Sequence, residues 1–170
     1  MLEIRLHERI SEIAQADWDA LALADESPFV EWTWLDCLEQ AGCVGGRSGW
    51  QPCHLGVYEV PDGALQPGKG GTLIAAAPLY RKTNSEGEFV FDWSWADFAQ
   101  RAGIPYYPKL VCAVPFTPAR GSRLLMHPSL EPEARAELHR SVAATLIKQA
   151  KALRVHGIHV LFPAAIRNDF

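Results

Sequence analysis

A long amphipathic stretch near the C-terminus leads straight into a short apolar run, and that succession decides much of the architecture. Over 132–154, Ala134, Leu138, Val142, Leu146, Ile147, Ala150 and Leu153 recur at helical spacing. Glu133 and Glu137 stand near the start and Lys148, Lys151 and Arg154 near the end, where each sign complements the helix dipole. Gly157 then releases the chain into 158–162, an apolar run that reads as a buried strand. A helix that hands the chain back to a strand is a crossover, so it needs an earlier strand to return beside. A strand reached this way is normally paired on both sides. With only 163–170 left to follow it, the sheet reads as incomplete at the C-terminus.

The earlier chain supplies the partners. Leu2, Ile4 and Leu6 alternate with Glu3, Arg5 and His7, the period of a half-buried strand. Helices are expected over 10–24 and over 32–41, the second stopping at Gly42. The stretch 43–52 reads as loop, with Gly45, Gly46, Gly49 and Pro52. Strands are expected over 54–60 and 72–82, joined through a glycine-rich connection at 61–71 as a hairpin with a long loop. Alternation returns at 88–93, where Glu88, Val90 and Asp92 would face one side and Phe89, Phe91 and Trp93 the other. A short helix over 95–102, a β-rich stretch over 109–114 and a return to a sheet over 121–126 complete the pattern. The class is α/β (α+β): one domain, 1–170, with a mixed, mainly antiparallel sheet flanked by helices.

Composition narrows the function. Twenty Asp and Glu outweigh sixteen Lys and Arg, giving a formal charge of −4, so there is no basic field to grip nucleic acid. The longest apolar stretch, 73–79, is far short of the ~20 residues that span a bilayer, and the N-terminus lacks a signal-peptide core. Cys37, Cys43, Cys53 and Cys112 have neither CxxC spacing nor paired histidines, so they read as reduced, mostly buried small hydrophobes of a cytoplasmic protein. His156 and His159, three apart at a strand start, would point to opposite faces, and no metal site is expected from them.

Chemistry concentrates between Gly87 and Arg123. On a strand, Glu88 and Asp92 share a face about 13 Å apart, at ~3.3 Å per residue. That exceeds the ~5–9.5 Å of a paired-carboxylate hydrolase, so each would act alone as a base for an amine. Tyr106, Tyr107 and Lys109 lie in a loop stiffened by Pro105 and Pro108. Arg120, Gly121, Ser122 and Arg123 put two guanidinium groups, a hydroxyl and a glycine within one turn, parts that suit a phosphate. Trp93 and Trp95 are core aromatics or part of a binding face.

The segments GWQPCHL (49–55), AAAPLYRKTNSEGEFVFDWSWADF (75–98), YYPKL (106–110), AVPFTPARGSRLL (113–125) and HVLF (159–162) resemble a bacterial family. It is the FemAB-like group of peptidoglycan biosynthesis and recognition proteins, with an N-acetyltransferase (GNAT-like) fold. The resemblance implies transfer of an acyl group from acyl-CoA, such as acetyl-CoA, or from aminoacyl-tRNA, to an amine. It also implies that the chain matches the first of two related halves, so that a second half or a second copy would cover the sheet edge. On that reading Arg120, Gly121, Ser122 and Arg123 hold the donor. Glu88 or Asp92 takes the amine proton, Tyr106 or Tyr107 returns one to the leaving group, and Trp93, Trp95 and Lys109 contact substrate. The competing expectation is a non-catalytic module that recognises a cell-wall precursor or a partner protein.

Overall fold

The computed structural model describes residues 1–23, 27–61, 70–90 and 92–164. Within them the chain forms β1 (Leu2–His7), α1 (Gln15–Ala22), α2 (Trp32–Gln40), β2 (Trp50–Pro52), β3 (His54–Glu59), β4 (Thr72–Ala77) and β5 (Leu79–Lys82). These are followed by α3 (Trp93–Arg101), β6 (Lys109–Cys112), β7 (Leu125–Met126), α4 (Pro132–Ala152) and β8 (Ile158–Val160). The strands make two four-stranded sheets, ordered β1-β3-β4-β7 and β2-β5-β6-β8. All pairings are antiparallel except β6 with β8, which α4 joins in parallel. The expected α+β class and the mainly antiparallel mixed sheet are present.

The division into two sheets has a local cause. The stretch 72–82, expected as one strand, breaks at Pro78, which has no N–H to give to a ladder. Across the break, the Cys53 N–H donates to Leu79 O at 2.9 Å and the Ala113 N–H to Pro78 O at 3.2 Å. The two sheets are thus one bent surface, with β6 beside its lower part and β7 beside its upper part. Between β7 and β8 the surface splits open.

Three apolar clusters hold the layers together. Trp18, Leu21, Val30 and Leu35 pack from α1, α2 and the turn between them onto Leu73 and Ala76 of β4. Leu138 and Val142 of α4 cover Leu55, Val57, Ala75 and Leu110. Trp50, Tyr80 and Val111 fill the far end with Val44.

Several expectations are corrected. The helix placed over 10–24 is a 3-10 turn, Ile10–Glu12, followed by a shorter α1; Ala24 lies outside the described residues. The stretch 88–93 is not a strand but a bent loop running into α3, which starts at Trp93; Phe91 is outside the described residues, as is 62–69 of the connection between β3 and β4. Ile147 of the α4 stripe is exposed. Cys37 and Cys43 are exposed and only Cys112 is fully buried, so the cysteines are not mostly core residues. Strand β8 is half-buried and stands at a sheet edge, with Val160 turned largely to solvent. A buried strand was expected there; among the described residues β8 is a half-buried edge strand. No described helix is long and apolar enough to cross a membrane.

Candidate active site

Lys109 begins β6 and is fully enclosed. Its ammonium donates to Glu88 Oε2 at 2.9 Å and to Asp92 Oδ2 at 2.5 Å. It also lies 5.0 Å from the centre of the Tyr106 ring and 5.2 Å from that of Tyr107, over faces that attract a cation. The Tyr106 hydroxyl donates to Asp92 Oδ2 at 2.6 Å, and the Tyr107 hydroxyl is hydrogen-bonded to Ser85 Oγ. Five of the predicted residues, Glu88, Asp92, Tyr106, Tyr107 and Lys109, therefore converge on one point.

This overturns the 13 Å separation of the two carboxylates, which assumed an extended chain. Gly87, at φ +78°, and Phe89, at φ +56°, bend the loop, and both acids turn in to the same ammonium. The loop is held from beneath. Lys82 Nζ donates to Glu86 O at 2.7 Å and to Asn84 Oδ1 at 2.8 Å, and Trp50 Nε1 donates to Glu86 O at 3.0 Å. The Lys82 ammonium sits 4.2 Å above the Trp50 ring, and burial pushes it down to about 8.

The two acids are not equivalent. Burial raises the Glu88 carboxyl above its ordinary range against the pull of Lys109. Burial also acts on Asp92, but hydrogen bonds from Lys109 and Tyr106 outweigh it and hold that carboxyl low. Glu88 Oε1 and Asp92 Oδ1 are both buried without a hydrogen-bond partner. Burial and the Asp92 charge push the Tyr106 phenol well up, so it keeps its proton; burial takes Tyr107 up to about 12.

His159 completes the cluster, and no local pattern placed it there. The parallel register sets Val111 beside His159, which brings the imidazole to the face that Lys109 occupies. Its ring stands edge-on to Tyr106, with centroids 6.3 Å apart. Its nitrogen and the carboxylate oxygens of Glu88 and Asp92 lie within 4.8 Å of one another. That spacing would suit a cation, and the chain's own Lys109 ammonium already bonds to both acids. His156, as expected, is not part of the group. The signal for His159 lay in pairing between distant strands, which no local pattern reports.

Trp93 and Trp95 project from α3 into solvent, 57% and 70% exposed, beside the exposed Phe98. Helix α3 turns only Ala99 fully inward, so its large aromatics are not core. They flank the cluster through Asp92, which precedes the helix.

The segment 120–123 lies elsewhere, at the split between the sheets. A cavity of about 700 Å³ opens there beneath α4, lined by Cys112, Ser122, Arg123, Leu125, Val142 and Leu146 among others. Arg120 is exposed. Arg123 is buried, and its guanidinium donates to Leu161 O at 2.7 Å and Ala119 O at 2.6 Å. Gly121 forms a parallel bridge with Pro163, its N–H donating to Phe162 O at 3.3 Å. Arg123 and Gly121 thus tie this loop to the end of β8, while Ser122 faces the cavity. Cys112 also lines it; burial pushes that thiol up to about 12, and it donates to Arg123 O.

The family model of the FemAB-like proteins, described as peptidoglycan biosynthesis and recognition, matches residues 9–169. The chain belongs to that family. No curated protein and no solved structure shows a significant match to it. Membership in the FemAB-like family ties the chain to peptidoglycan, and the chemistry must be argued from its own residues.

Proposed function

We propose that this FemAB-like chain is a GNAT-like acyl- or aminoacyltransferase that moves an acyl group from acyl-CoA, or from aminoacyl-tRNA, to an amine of a cell-wall precursor. The observation that carries this reading is the buried cluster of Glu88, Asp92, Tyr106 and Lys109 in a chain of this family. The cavity opens on the other face of β6: Lys109 anchors the cluster and Cys112, three residues on and about 10 Å away at ~3.3 Å per residue, lines the cavity with its side chain pointing the opposite way. A donor's acyl end has to pass from the cavity to the cluster face, and holding it beside the amine there supplies much of the rate.

Within that scheme Ser122 and the exposed Arg120 are the groups best disposed toward a donor's phosphates, with Gly121 and Arg123 shaping the loop. The high Tyr106 phenol suits an acid that returns a proton to the leaving group, with Tyr107 behind it. Asp92 and Glu88 set the charge of the site, Lys109 holds them, and Trp93 and Trp95 offer faces for the acceptor. Both donors are intracellular, which fits a cytoplasmic place of action. The open β8 edge is where a second copy or a second half would pair.

Thermal unfolding with and without acetyl-CoA tests the donor half of this reading. Ligand at ~100 times its Kd adds about 2.7 kcal/mol, which for a chain of this length raises Tm by roughly 5–10 °C. No rise with acetyl-CoA or with a charged tRNA would remove the donor assignment. The exposed row of Trp93, Trp95 and Phe98 favours the second reading, a module that recognises a cell-wall precursor without transferring anything to it. That reading predicts binding of a muropeptide and none of acetyl-CoA.

A further inference from the structure

We infer that His159, rather than Glu88 or Asp92, is the base that takes the proton from the acceptor amine. This rests on the transferase reading above and names the residue through which it works. The first argument is access. The Glu88 side chain is fully enclosed, and its Oε2 is held by Lys109. Asp92 Oδ2 already accepts from both Lys109 and Tyr106. Their other oxygens, Glu88 Oε1 and Asp92 Oδ1, are unpartnered but buried, so neither acid presents an oxygen to an amine arriving from solvent. His159 lies on β8, only partly buried, with the cluster on one side and, among the described residues, no strand paired on the outer side. Its Nε2 adjoins Gly157, whose missing side chain leaves that nitrogen uncovered: a Cβ there would stand 3.4 Å away, in van der Waals contact with it.

The second argument is charge state. The groups facing the imidazole are Lys109, Asp92, Glu88 and the Tyr106 ring. Burial lowers its affinity for a proton, and the Lys109 charge lowers it further against the pull of Asp92. A neutral imidazole at pH 7 is what a base requires. In the step itself, the amine nitrogen forms a C–N bond to the donor's carbonyl carbon, and its proton passes to His159. The C–S or C–O bond of the donor then breaks, and the imidazolium, directly or through Tyr106, gives the proton to the departing sulfur or oxygen. Lys109 repels the imidazolium and so speeds that return.

Carbethoxylation by diethyl pyrocarbonate, which acylates an imidazole only when it is neutral and accessible, tests this on the full chain without any donor. Site-by-site mass spectrometry between pH 5 and 8 should find His159 modified at least tenfold faster than the enclosed His54. The rate at His159 should follow a midpoint below 6.5, the ordinary imidazole value. An unreactive His159, or a midpoint at or above 6.5, overturns the inference and leaves the donor question untouched. Conversely, loss of donor binding in the thermal test would not alter this result. Where transfer from acetyl-CoA is measurable, His159→Gln should lower kcat on the order of 100-fold with the donor KM unchanged, as loss of a general base does. Full activity in that variant contradicts the assignment.

Discussion

Replacing Lys109 by Met should destabilise the protein by about 3–5 kcal/mol, the usual effect of removing one partner from a buried ion pair. Methionine fills nearly the same volume, so the loss is electrostatic rather than a cavity. Two carboxylates that now share one ammonium would be left facing each other, each with one oxygen already unpartnered. For a chain of this length, Tm should fall by roughly 10 °C, and urea denaturation followed by tryptophan fluorescence gives the same quantity as a free energy. The pH dependence separates this account from a simple packing defect. Without Lys109, burial and mutual repulsion raise the folded-state affinity of these carboxyls for protons. Stability conferred by a raised carboxyl is present below the unfolded value, near 4, and is lost as pH rises through the folded one. The variant should therefore recover relative to wild type as pH falls from 7 toward 5. Adding Glu88→Gln to Lys109→Met should return part of the loss at pH 7, because one uncompensated charge is gone. A deficit independent of pH and unaffected by the second change would show that the charges do not govern this site.

Gly87→Ala should cost about 2–5 kcal/mol, although it adds a single methyl group. Gly87 has φ +78°, where a side chain costs about 1–2 kcal/mol. A Cβ there would also stand 2.5 Å from Phe116 Cε1 and 3.0 Å from Trp50 Nε1. The Trp50 ring is fixed, whereas Phe116 is 42% exposed and held by its backbone. Trp50 is buried and bonded to Glu86 O, and the Phe116 N–H donates to Gly87 O at 3.1 Å. Relief must come from moving the loop or turning the Phe116 ring, and that overpacking adds about 1–3 kcal/mol. Because Glu88 is the next residue, the shift also pulls a carboxylate from Lys109. Denaturation should show the lost stability, and a wild-type midpoint would mean that the turn is far softer than its contacts imply.

These two positions also show what could be read from the chain by itself. Strands β1 and β3 and helix α4 were legible because their apolar spacing is long and regular, and the burial of one face enforces it. The loop 88–92 was misread for the opposite reason. Its alternation of acids and aromatics imitates a strand, but Phe89 and Val90 are exposed and no sheet face required them. What shapes it is an ammonium 17 and 21 residues further on, together with a glycine that permits the bend. Local pattern carries no trace of such a pairing, so the residues of the site were nameable while their separation was not. His159 was harder still: its place depends on the register of β8 against β6, set only once α4 has packed. The Arg120–Arg123 loop was located correctly between β6 and α4. Its chemistry was less legible, since whether a guanidinium serves a ligand or the backbone depends on carbonyls contributed by distant residues.

The most direct test of acyl transfer is a mass measurement on the acceptor. The full chain is incubated with a muropeptide bearing a free amine and, in parallel, with acetyl-CoA or with charged tRNA. The account predicts that the muropeptide gains the mass of one acyl or aminoacyl group with at least one donor, and that the gain is lost with His159→Gln. A muropeptide that stays unmodified with both donors, while binding the protein, would contradict transfer and leave recognition as the function of the site.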